Sequence, residues 1–135
     1  MKLTTYKFEL STGDAGVAIE KIVESAAEVQ ELVAESLWHD SVLIVTHLKH
    51  SVDYGNFIIF VNTVGSTHVR LLEHRGFFAT ALQTAPTGRF VHFMNDGCPF
   101  EVDENAAIPV ATAKAALNHW LATGQQYPGV CWVDE

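Results

Sequence analysis

Cysteine is scarce in this chain of 135 residues: Cys98 and Cys131 are the only two. That is too few for a disulfide framework, and the distance between them excludes a redox CxxC pair. Both are expected to be small buried thiols in a reducing compartment, with one bridge between them as the alternative. Basic residues are also few, with 8 Lys and Arg against 16 Asp and Glu and a net charge of −8. Such a surface repels phosphates before contact, which argues against direct nucleic-acid binding and for a basic partner. No apolar run approaches the ~20 residues that a membrane-spanning helix needs. The opening MKLTTYKFEL lacks the apolar block of a secretory signal. The expectation is a soluble, cytoplasmic protein without membrane association. Phosphate-cradling loops are missing too: neither GxxxxGK nor GxGxxG occurs, so nucleotide binding has no support.

What is present is a chain with 48% apolar residues, of a length that suits one domain spanning 1–135. Leu3 to Leu10 alternates, with Tyr6, Phe8 and Leu10 on one face and Thr5, Lys7 and Glu9 on the other, as in a half-buried strand. From Val17 to Trp38 the spacing of Ile19, Ile22, Ala26, Val29, Val33 and Leu37 predicts one amphipathic helix. Its opposite side carries Glu20, Glu24, Glu28, Glu31 and Glu35 against Lys21 alone. A solvated face is the ordinary role of such a row. Val42 to Thr46 and Phe57 to Val61 read as two central strands separated by a polar stretch from His47 to Asn56. Val69 to Glu73 and Phe77 to Leu82 follow, with turn residues between them, in the spacing of a meander, and after a third turn at Ala85 to Gly88 the stretch Phe90 to Met94 reads as another strand. Asn95 to Ala107 reads as a loop with room for a short strand near Phe100 to Val102. Pro109 then opens a helix whose face carries Val110, Ala113, Leu117, Trp120 and Leu121, and Gly124 closes it. Val130 to Val133 returns to the sheet. The fold class is α+β, a mostly antiparallel sheet of about six to seven strands with two main helices packed on it.

Seven histidines invite a metal hypothesis, because imidazole is a common zinc ligand. His47 and His50 are three apart, but no HExxH or paired CxxC accompanies them. His68 and His92 lie in expected strands that the fold has to bring together before they share a site. Cys98 carries no signature of a hydrolytic nucleophile. Asp103 and Glu104 are adjacent acids whose ordinary role is to shape a surface rather than to exchange protons. No catalytic residue, metal or cofactor is assigned. Trp120 and Trp132 are expected to pack, whereas Trp38 and Tyr54 sit near element boundaries, where an aromatic side chain can anchor a partner.

The tail is the most specific segment. Ile108-Pro109 leads into a helix, Gly124 ends it, and GQQYPGVCWVDE follows as a terminal strand. Helix then strand, with Gly124, Pro128 and Trp132 so placed, resembles the C-terminus of immunity protein family one, the inhibitors encoded beside toxins in bacterial polymorphic-toxin systems. The resemblance covers about the last third of the chain. It implies binding and neutralisation of a cognate toxin domain, with no catalysis and no cofactor. Family members look like partners of diverse toxins, including nucleic-acid-modifying enzymes such as deaminases. The acids at 96–135 suggest a surface made of Asp96, Glu101, Asp103 and Glu104 together with Asp134 and Glu135, to which Trp38 and Tyr54 are added as anchors. The alternative is a small enzyme or ligand-binding domain using His68, His92 or Cys98 in a pocket between sheet and helix. Self-association as an adaptor is a third possibility.

Overall fold

A computed structural model describes residues 4–12, 16–36, 38–49, 52–73, 78–82, 85–95 and 97–134. The chain opens with strands β1 (Thr4–Thr12) and β2 (Gly16–Val23), paired antiparallel, followed by helix α1 (Ala26–Glu35). The single helix expected over 17–38 is therefore a strand followed by a shorter helix. Two local features account for the division. Val17, Ile19, Ile22 and Val23 are β-branched and suit a pleated surface. Ser25 is a helix N-cap: its Oγ accepts the Glu28 amide at 3.2 Å, in the Ser-x-x-Glu spacing of a capping box. At the far end Ser36 donates its backbone N–H to Val33 O, and its hydroxyl donates to Leu32 O.

β3 (Ser41–Lys49), β4 (Val52–Val61), β5 (Thr67–Glu73) and β6 (Phe78–Leu82) form the expected meander. β3 and β4 are longer than their apolar cores suggested: beyond Thr46, which lies opposite Asn56, Leu48 pairs with Asp53 and Lys49 with Val52, with a register shift between Thr46 and Leu48. With β9 (Cys131–Asp134), the order across the seven-stranded antiparallel sheet is β2-β1-β3-β4-β5-β6-β9. The meander and a β1 that pairs with β3 leave β2 and β9 at the two edges.

Cross-strand rows build the core on one face. Phe8 lies opposite Val45, Val45 opposite Phe57 and Phe57 opposite Leu71; Leu10, Leu43, Ile59 and Val69 form the next row. All eight are buried. Helix α1 adds Val29 and Val33, and α2 (Val110–Thr123) adds Ala113, Ala116, Leu117, Trp120 and Leu121 to the same cluster. Trp120 meets Phe57 at 5.7 Å between ring centroids, so helix and sheet are joined through aromatic contact. Tyr6 and His47 stack beside them at 5.3 Å, and burial holds the His47 pKa below its ordinary value. Gly124 takes the left-handed conformation (φ 71°) as C-cap, and its N–H donates to Trp120 O. The tail then returns as β9 against β6. Trp132 donates its ring N–H to Tyr127 O at 2.8 Å and meets Phe57 edge-on, which is the packing role expected of it.

The opposite face carries a separate two-stranded sheet, β7 (Phe90–Asn95) with β8 (Cys98–Asp103). The stretch read as loop after Asn95 is thus half of a hairpin. Phe93 inserts between this hairpin and the main sheet, in a second cluster with Val42, Phe60, Phe100, Ile44 and Ile58. A 3-10 turn at Glu104–Ala106 leads to Ile108, whose backbone bridges Thr67 in both directions before α2 begins. Asn62 ties the β4–β5 turn to the hairpin: its Oδ1 accepts from Val64 and Ser66 amides, and its Nδ2 donates to His92 O. No helix among the described residues is long and apolar enough to cross a membrane.

Candidate functional site

The acids at 101–104 are largely engaged within the chain. Asp103 accepts hydrogen bonds from the backbone amides of Thr87, Gly88 and Asn105, the shortest at 2.8 Å. Glu104 holds Arg89 through two bonds, at 3.1 and 2.9 Å. These contacts close the long approach to β7 onto the end of β8. Glu101 is exposed and lies 3.7 Å from His92. Asp134 and Tyr54 have their backbones in β9 and β4, with side chains outside the described part of the structure, and Asp96 and Glu135 fall outside it altogether. Trp38 is half-buried: its ring N–H donates to Val33 O at 3.1 Å, and the Lys114 ammonium sits 4.6 Å over its face. It links the end of α1 to α2.

The internal bonds have a consequence for pH. Donation by Asn105 and then Thr87 amides holds the Asp103 carboxyl below its ordinary range, and the hydrogen bond from Arg89 does the same for Glu104. A carboxyl depressed in the folded state stabilises it above the unfolded value, near pH 4, and loses that contribution as pH falls through the folded value. The stability difference between the wild type and Asp103→Asn should therefore be complete at neutral pH and shrink once pH drops below about 4. Urea unfolding in steps of pH tests this; a difference that stays constant into acid would remove the carboxylate as the acceptor.

The histidines and cysteines occupy separate surroundings. His68 is buried against Phe60, Phe93 and Phe100, with Nδ1 2.9 Å from Ala106 O. His92 is exposed on the outer side of the hairpin. Cys98 and Cys131 are free and exposed, which corrects the expectation that both are buried. Each lies near a sheet margin: Cys98 at the β7–β8 turn, Cys131 at the start of edge strand β9. No group of three His, Cys, Asp or Glu suited to a metal ion occurs among the described residues.

A different surface stands out from the geometry. α1 follows β2 directly and turns back over the sheet, so Val29 and Val33 enter the core while Glu28, Glu31 and Glu35 remain at the side toward β2. Between them lies a groove of about 380 Å³ lined by Lys21, Ile22, Val23, Leu32 and these three glutamates. Ile22 is 60% exposed and Ile19 40%, although both belong to the strand. β2 is paired on one side, with β1, and no strand among the described residues pairs with its other side. Glu20, on the face away from the helix, meets Lys7 at 3.5 Å. The sequence hides this groove, because the spacing of Ile19 and Ile22 with Ala26 and Val29 matches a helical core stripe. The Ser25-Ala26-Ala27-Glu28 signal was the available clue that the helix starts later.

No family model, curated protein or solved structure matches the chain.

Proposed function

We propose that this chain is an immunity protein: it binds a cognate polymorphic toxin in the cytoplasm and neutralises it by occupying or covering the toxin's active surface. It does so without catalysis and without a cofactor. The observation that carries this reading is the exposure of Glu20, Glu24, Glu28, Glu31 and Glu35 along β2 and α1, against Lys21, in a chain of net charge −8. A basic toxin domain is the complement of such a surface, and a nucleic-acid-targeting toxin such as a deaminase has reason to carry a basic groove. The tail with Gly124, Pro128 and Trp132 adds the resemblance to immunity protein family one. Complementary charge speeds encounter, and a few apolar anchors then slow dissociation.

The test is capture of a toxin domain from the source bacterium with the tagged chain, followed by co-expression to ask whether growth is rescued. Rescue is expected. Association with the captured domain should slow several-fold between about 50 and 200 mM salt, as charges separated by more than a Debye length are screened. Absence of rescue despite toxin expression, or association indifferent to salt, would remove the reading.

A further inference from the structure

We infer that the open edge of β2, with the groove beneath α1, receives an extended basic segment of the partner protein as an added strand. Identifying that partner as the toxin rests on the function proposed above; the chemistry of the groove does not.

Two observations converge on this. The first is the state of the edge. Exposed edge strands are usually blunted by proline, by inward-pointing charges, or by a covering loop or helix, because their unpaired N–H and C=O groups recruit other strands. β2 has no proline, its register shift lies opposite Leu10 and Ser11 at its beginning, the one charge on its inner face between Ile19 and Val23 is Lys21, which is exposed, and Ile22 and Ile19 are exposed along it. From Ile19 to Val23 the strand is regular, each residue opposite one of β1. This segment offers a template for main-chain pairing and an apolar contact for the incoming chain.

The second is the charge above it. Side chains of β2 alternate: Lys21 and Val23 share the helix side with Phe8 and Tyr6, while Glu20 and Ile22 share the other side with Glu9 and Lys7. A strand added outside β2 inherits that alternation. Its helix-side residues run beneath Glu28, Glu31 and Glu35, and its other residues lie next to Ile22. The sequence that fits is an extended segment of alternating basic and apolar residues. A helix cannot satisfy the strand edge, and an acidic segment is repelled by the three carboxylates. Lys21, the only base among the described residues lining the groove, weakens the acid field at one position and so sets the register of the incoming charges.

The probe is a synthetic ten-residue peptide of alternating lysine and valine, titrated into the full chain at low salt, with a glutamate-valine peptide as the counterpart. The lysine peptide is expected to bind, to slow amide hydrogen exchange across Ile19–Val23, and to lose at least about tenfold in affinity to the triple variant Glu28→Gln, Glu31→Gln, Glu35→Gln. These exposed substitutions leave the buried face of α1 intact. A second variant, Ile22→Lys, keeps the strand and places a like charge against the segment; it should also weaken binding. No binding of the lysine peptide, equal binding of the glutamate peptide, or binding that leaves β2 exchange unchanged overturns the inference. Toxin capture and growth rescue do not depend on that result, so the two readings fail separately.

Discussion

Replacing Phe57 with alanine should destabilise the protein by about 3–5 kcal/mol, the range for removing a buried phenylalanine and leaving a cavity. Phe57 is 1% exposed and joins three elements: it pairs with Val45 and Leu71 in the sheet, touches Trp120 of α2 at 5.7 Å, and meets Trp132 of β9 at 6.4 Å. Collapse around the lost ring is limited, because its neighbours belong to different elements and cannot all move inward together. A domain of this size has about 5–15 kcal/mol in total, so the loss is a large share. The midpoint of urea unfolding should fall with an unchanged slope. Trp120 and Trp132 should report the change through their fluorescence. Phe57→Leu, which keeps most of the volume, should cost less than about 1.5 kcal/mol. A loss below about 1 kcal/mol for Phe57→Ala would mean that the ring does not bridge helix and sheet.

Phe93→Ala should cost a similar amount, about 3–5 kcal/mol, through a different part of the molecule. Phe93 is 2% exposed and lies 5.8 Å from the His68 ring and 5.9 Å from Phe100, in the cluster between the β7–β8 hairpin and the main sheet. Polar contacts that also hold the hairpin, the Asn62 side chain to His92 O and the Arg89–Glu104 pair, are exposed and replaceable by water. The apolar seam is therefore what keeps the hairpin docked. Hydrogen exchange should accelerate in β7 and β8 well before β3 and β4, a local opening rather than a global one. The two clusters lie on opposite faces of β4, so Phe57→Ala and Phe93→Ala should add within about 0.5 kcal/mol. Uniform acceleration across all strands would show that the hairpin and the main sheet open as one unit.

Legibility differed from segment to segment for identifiable reasons. α2 and β9 were readable because each boundary has its own chemistry: Pro109 before the first turn, Gly124 at φ 71°, and a late tryptophan that packs. The meander was readable because β3 to β6 follow one another with turn residues between them. The segment 17–38 was misread because Ile19, Ile22, Ala26 and Val29 satisfy a helical period by coincidence, whereas β2 forms by pairing with β1. The site was less legible than the fold. Asp103 looked like a surface charge, yet its carboxylate accepts the Thr87 amide 16 residues earlier in the chain.

The sequence alone determined the α+β class, the alternation of strand faces, the ends of α2 and the acidic balance, because these depend on residue type and on spacings of a few residues. Tertiary structure decided that β2 is an edge, that Ile22 is exposed along it, that Glu28, Glu31 and Glu35 line a groove between α1 and β2, that Cys98 and Cys131 face outward, and that Asp103 and Glu104 are bound internally. The physical reason is that exposure and partnership belong to neighbours in space. Strand order and the side on which a helix lands are set by the packing of the whole sheet, and no local period records them.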